Sequence, residues 1–128
     1  MKKFALYEIP FFQVGDGDTT RYAQFMVGPE MGNHDSLSID AVTLKPHSST
    51  DSHIHDTNKE MMFFLDGGNI VIDGQDYALA PRTQIIVEEG EAHMVVNKTD
   101  EEITLLCTFS PPLPKNEGAV SFIESTLK

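Results

Sequence analysis

The apolar residues of this chain fall in short β-branched or aromatic runs separated by clusters of Gly, Asp, Asn and Pro, and helical periodicity is scarce. A chain with this rhythm can bury its apolar residues only by pairing many short strands. The segments that read as strands are Phe4–Tyr7, Tyr22–Val27, Leu37–Leu44, Met61–Leu65, Ile70–Asp73, Ile85–Val87, His93–Val96 and Ile103–Phe109. Between them stand turn formers such as Gly15-Asp16-Gly17-Asp18, Gly32-Asn33, Asp66-Gly67-Gly68-Asn69 and Asp73-Gly74. About eight short strands fit a sandwich, a jelly roll or a small barrel, so the fold class is all-β. After Phe109, the stretch Ser110-Pro111-Pro112-Leu113-Pro114 cannot donate ladder hydrogen bonds and ends the sheet. The closing stretch from Ala119 to Lys128 reads as a short helix or an edge strand.

At 128 residues the expectation is one domain spanning 1–128. Folding at this size buries roughly two-thirds of the unfolded chain's surface, enough for a core without staples. The single Cys107 can form no internal bridge and reads as a small core side chain. Twenty acidic against nine basic residues give a net charge of −11, which repels phosphate backbones and anionic headgroups, so nucleic-acid and membrane partners are not expected. The 40% hydrophobic content with eight Phe is too high for a disordered acidic chain. The opening MKKFALYEIPFF has only a short apolar run broken by Glu8 and Pro10, so neither a signal segment nor a membrane span is expected, and a cytoplasmic protein is.

The segment that carries chemistry is His53-Ile54-His55-Asp56-Thr57-Asn58-Lys59-Glu60. Residues two apart on a strand share a face, so His53 and His55 project together and Ile54 turns away. The polar stretch that follows can reverse the chain and return Glu60 to the same point, making two imidazoles and a carboxylate, a facial set for a divalent metal. His93 is the candidate fourth ligand. It follows the turn Glu88-Glu89-Gly90-Glu91-Ala92 and opens a strand whose alternation puts His93, Val95 and Asn97 on one face.

These residues resemble the two motifs of the cupin superfamily. The first, G(x)5HxH(x)3–4E(x)6G, is matched from His47 through His53, His55 and Glu60 to Gly67, with His47 at the first glycine position. The second, G(x)5PxG(x)2H(x)3N, is matched from Arg82 through Glu88, Gly90 and His93 to Asn97, with Arg82 replacing Gly and Glu88 replacing Pro. All three departures lie at turn positions, which puts turn geometry in question more than metal binding. The resemblance covers Pro46 to Asn97 and implies a double-stranded β-helix, the jelly-roll cupin barrel, commonly homodimeric. It also implies one divalent transition metal ion inside the barrel on His53, His55, Glu60 and His93. Imidazole with carboxylate suits Fe, Mn, Ni, Co, Cu or Zn alike. Such an ion can polarise a carbonyl or stabilise an enolate.

The function expected is a metal-dependent enzyme acting on an oxygen-rich small molecule, as a dioxygenase or as a redox-neutral isomerase or lyase. The alternative is a non-catalytic binding or sensing module for a metal or small ligand. No general base stands out: His47, Tyr22 and Tyr77 are unranked candidates, His47 and His34 read more simply as solvated loop residues, and Tyr7 as a core aromatic. If Glu60 points inward, Met62 and Phe64 follow it into an apolar pocket. One of the sets Gln84, Ile86, Glu88 and Ile85, Val87 also faces inward, and the alternation alone does not say which. With only Arg21 and Arg82 as arginines, a bidentate clamp for polyanionic substrates is poorly supplied.

Overall fold

A computed structural model describes residues 1–127. Ten strands form two antiparallel sheets: β1 (Phe12–Val14), β2 (Arg21–Val27), β3 (Ser38–Leu44), β4 (Ser48–Ser49), β5 (Lys59–Phe64), β6 (Gly68–Ile72), β7 (Gln75–Leu79), β8 (Thr83–Val87), β9 (His93–Asn97) and β10 (Ile103–Ser110). One sheet runs β1-β2-β3-β10-β5-β8 and the other β4-β9-β6-β7, the jelly-roll arrangement in which neighbours in space are mostly distant in sequence.

The core follows from strand alternation. Ile103, Leu105, Cys107 and Phe109 of β10 turn inward, as do Met62 and Phe64 of β5. They meet Ile70 of β6 and Val95 of β9 from the opposite sheet in one continuous cluster. Val87 is buried and Ile85 packs against this cluster while Ile86 is exposed, so Ile85 and Val87 are the inward set on β8. Asn97 ends the inward row of β9. Its amide donates to the carbonyls of Leu44, Lys45 and Glu101, and its oxygen accepts from Thr99, so a fully buried polar side chain ties three segments together.

The C-terminal stretch is a helix, α1 (Glu117–Leu127); Lys128 lies outside the described residues. Asn116 caps it, its side-chain oxygen accepting from the Ala119 N–H at 3.0 Å. Ala119, Phe122 and Ile123, at helical spacing, pack on Phe12 and Phe25, which favours the helix over an edge strand.

Two expectations need correction. Phe4–Tyr7 is not a strand. The chain makes a 3-10 turn at Leu6–Glu8, and the Gln24 amide, buried on β2, donates to the carbonyls of Leu6 and Ile9 at 2.9 and 2.8 Å. These bonds satisfy backbone groups that a strand would have paired, and Pro10 could not have joined a ladder. Tyr7 is consequently exposed, not a core aromatic. The reverse error is made at β1, at β4 and at β7; the last, Gln75–Leu79, pairs with β6 across the Asp73-Gly74 turn. It is an edge strand exposed along most of its length, so it carries no apolar alternation by which to recognise it.

Two of the three departures at motif turns, His47 and Arg82, are resolved by backbone conformation. His47 and Arg82 both adopt left-handed φ, +55° and +68°, the conformation glycine takes at no steric cost. Arg82 holds it while its N–H donates to the Phe64 carbonyl at 2.7 Å. Left-handed geometry costs an ordinary residue about 1–2 kcal/mol, partly offset by the ~0.5–1 kcal/mol that glycine loses in chain entropy. Arg82→Gly is therefore expected to raise stability by about 0.5–1 kcal/mol, seen as a Tm higher by a few degrees; an unchanged or lower Tm would contradict this reading of the turn.

Candidate metal centre

His53, His55, Glu60 and His93 converge as their spacing predicts. Each offers one donor atom, and these atoms lie within 4.8 Å of one another. Separate local devices deliver them. His53 sits in a two-way backbone bridge with His93, N–H to carbonyl at 3.0 Å in both directions, so a residue outside the named strands is locked to β9. The His55 carbonyl accepts from the Gly90 N–H at 3.0 Å, which fastens the HxH segment to the turn before His93. The buried Asn58 amide donates to the Pro111 carbonyl at 2.6 Å, pinning the reversal that brings Glu60 to the start of β5. Ile54 points outward and is exposed.

Hydrogen bonds to backbone carbonyls orient two of the rings. His53 Nδ1 faces the Asp51 carbonyl at 2.9 Å and His93 Nδ1 the Glu91 carbonyl at 3.1 Å. Each Nδ1 therefore carries a hydrogen, and a neutral ring has its lone pair on Nε2. His93 Nε2 lies 2.9 Å from Glu60 Oε1. A lone pair facing a carboxylate oxygen at that distance requires a proton or a cation between them. His55 Nε2 is 3.3 Å from the same oxygen but outside hydrogen-bonding geometry, leaving a buried ring nitrogen with no partner. A buried polar atom without a partner is costly, and a metal ion is one group that satisfies it. Three imidazole nitrogens and a carboxylate oxygen thus fit a divalent transition ion in position and in donor chemistry.

The electrostatics run the same way. Burial pushes the Glu60 carboxyl up, but the ring nitrogens of His55 and His93 outweigh it and hold the group at about 2, so Glu60 is anionic throughout the physiological range. Burial alone would lower His93; the Glu60 carboxylate and the Glu91 carbonyl more than reverse this, so its pKa stands above the ordinary histidine value. Burial lowers His53, against the pull of the Asp51 carbonyl.

The cluster opens on a cavity of about 260 Å³. That is slightly below the ~300–1,000 Å³ of drug-sized sites and suits a small metabolite. Met62 lines it as expected, whereas Phe64 packs deeper in the core. The His55 ring meets Phe109 edge-on at 5.2 Å. None of the unranked base candidates reaches the cavity. His47 is exposed and paired with Asp100 at 2.6 Å; Tyr22 packs against Phe11; Tyr77 lies exposed on β7. Cys107 is buried, as expected, but it also lines the cavity, and burial raises its thiol well above the usual value.

Sequence reasoning passed over Asp40 and Glu30, which line the cavity together with Arg21, weighed there only as a scarce arginine. Asp40 could have been found: it is a lone carboxylate in the strand Ser38–Leu44, in step with Ser38, Val42 and Leu44, the face that turns inward. Its pKa is raised to about 7 by burial first, then by the charges of Glu30 and Glu60. Arg21 is already committed, its guanidinium donating to Asp51 at 2.9 Å and to the Thr19 carbonyl at 3.3 Å.

Known proteins resemble this chain in sequence or in fold. A family model described as the cupin domain matches residues 41–109. The L-ectoine synthase of Aliivibrio fischeri is 32% identical over 74 residues, a match covering 56% of this chain and 58% of that protein. The chain thus spans somewhat over half the length of that curated relative. Among solved structures, a protein described as a predicted oxalate decarboxylase from Thermotoga maritima superposes with a TM-score of 0.76 at 17% identity, covering 86% of this chain and 99% of that one. KdgF from a Halomonas species gives 0.74 at 13%, covering 92% and 98%. These two likenesses concern the fold.

Metal binding here must displace the proton that His93 holds above the ordinary value. Affinity for a divalent ion is therefore expected to fall as pH drops through the raised His93 pKa, as measured by competition with a chromogenic chelator. Affinity independent of pH between 5 and 8 would contradict the assignment of His93 as a ligand.

Proposed function

We propose that this chain, which belongs to the cupin domain family, holds one divalent transition metal ion on His53, His55, Glu60 and His93 and acts as a metal-dependent enzyme of the redox-neutral lyase or isomerase kind on a small oxygen-bearing molecule. The observation that carries this reading is the convergence of four donor atoms within 4.8 Å at the wall of a cavity sized for a small metabolite. When bound, a divalent ion there supplies Lewis acidity toward an oxygen of the ligand.

The protein groups set the conditions for that chemistry. The Asp51 and Glu91 carbonyls hold the His53 and His93 rings in one tautomer, so their Nε2 lone pairs point inward. Glu60 contributes one negative charge, leaving a divalent centre with a net charge of about +1 to attract an anionic or carbonyl oxygen. Met62, Leu105 and Phe109 wall the cavity with apolar surface and limit the water that competes for it. Support for a redox-neutral reaction over an oxygenase comes from the L-ectoine synthases, whose name describes the making of a small molecule and not an oxidation.

We also propose that the chain pairs as a cytoplasmic homodimer. Phe4, Tyr7 and Phe11 are all exposed near the N-terminus, an apolar group that a partner would cover. Light scattering at micromolar concentration is expected to report twice the mass of one chain; a monomer would contradict the pairing.

Metal analysis of the purified protein is expected to find one transition metal per chain, lost in His53→Ala and His93→Ala. Incubation with carbonyl compounds in deuterated water under argon is expected to exchange protons alpha to the carbonyl in at least one of them. A metal-free wild type would overturn the metal reading. Turnover that consumes oxygen stoichiometrically would replace the redox-neutral reaction with an oxygenase, and metal binding with no exchange or turnover would favour a sensing module.

A further inference from the structure

The cavity is lined by a further carboxylate outside the cluster. Asp40 on β3 faces the cavity from the row Phe25, Asp40, Cys107, Met62 that crosses four strands, away from the HxH segment and β9 that carry the three histidines. One of its carboxylate oxygens, Oδ1, is buried with no hydrogen-bond partner. Among the described residues no ion pair reaches it, and Arg21, the one lysine or arginine among the residues lining the cavity, is held by Asp51. The other charged or titratable groups that line the cavity around it are Glu30, Glu60 and Cys107, together with the histidine cluster. Asp40 therefore lines the cavity with a carboxylate of which one oxygen has no partner among the described residues.

We propose that Asp40 is the subsite for a positively charged nitrogen of the ligand. Resting on the metal reading above, this defines the substrate class: a small molecule with an oxygen function directed to the histidine cluster and an ammonium or amidinium group directed to Asp40.

The charge balance supports the assignment. Burial is the largest influence raising the Asp40 pKa and Glu30 the second; both persist with a metal in place, whereas a cation on Glu60 cancels that residue's repulsion. Asp40 would then ionise more readily beside a still anionic Glu30. A ligand nitrogen that brings both charge and a hydrogen-bond donor relieves the desolvation and the repulsion together, which a neutral hydroxyl does not. Val42 and Phe25 flank this end of the cavity with apolar surface, so bulk water compensates poorly. The shortage of arginine agrees with a site that selects against polyanions.

The test uses ethylammonium against ethanol, probes that need no metal, and 4-aminobutanoate against 4-hydroxybutanoate, in the zinc-loaded protein followed by amide NMR. Ethylammonium is expected to give saturable shifts around Asp40, Phe25 and Val42, with ethanol giving none. The amino acid is expected to bind about tenfold tighter than the hydroxy acid, a charged hydrogen bond's worth. Asp40→Asn is expected to abolish both preferences while keeping its zinc; should that variant fail to fold, Glu30→Gln is expected to weaken them severalfold. Equal binding of the matched probes, or preferences that survive Asp40→Asn, would overturn the subsite. His53→Ala is expected to weaken both butanoates alike and to keep the ethylammonium response. A wild type that binds ethylammonium at Asp40 but no zinc would overturn the metal reading and leave this inference standing.

Discussion

A carboxylate buried among three imidazoles is the interaction on which the rest of this molecule depends. Taking an ionised carboxylate out of water costs several kcal/mol, and Glu60 is almost wholly buried. It stays anionic because ring nitrogens approach it at 2.9 and 3.3 Å, and those rings are supplied by a different part of the chain from the strand that carries Glu60. The arrangement stabilises the fold only if both sheets are in register. The backbone bridge between His53 and His93, the Gly90 contact to His55 and the Asn58 contact to the proline segment are the local bonds that keep it so.

The cavity that results is electrically divided. Part of its lining is the cluster, which with a divalent ion would carry a positive charge; another part is Asp40, whose pKa both Glu30 and Glu60 raise. A small barrel can thus orient a small ligand by charge alone, without the arginine clamp that the composition denies it.

Much of this was legible from residue spacing, and the exceptions have physical causes. Period-two alternation identified the strands that bury one face, because there the core imposes the pattern; β7, exposed at an edge, has no core to impose one. Phe4–Tyr7 looked like a strand because it is apolar, yet strand identity needs a partner for the backbone, and Gln24 took that role with its side chain. The four clustered residues were readable because their offsets are set by local geometry. Asp40 was legible as a lone carboxylate on the inward face of its strand, but the neighbours that perturb it, Glu30 and Glu60, are brought to the same cavity only by the fold. His47 and Arg82 departed from a glycine pattern in sequence, yet kept its left-handed backbone in structure.

X-ray absorption at the edge of the bound metal tests the proposed centre most directly, because Cys107 lines the same cavity and offers a rival donor. A nitrogen and oxygen shell at about 2.0–2.2 Å with outer-shell scattering from three imidazoles is the predicted spectrum. A sulfur shell near ~2.3 Å, or fewer than two imidazoles, would contradict it.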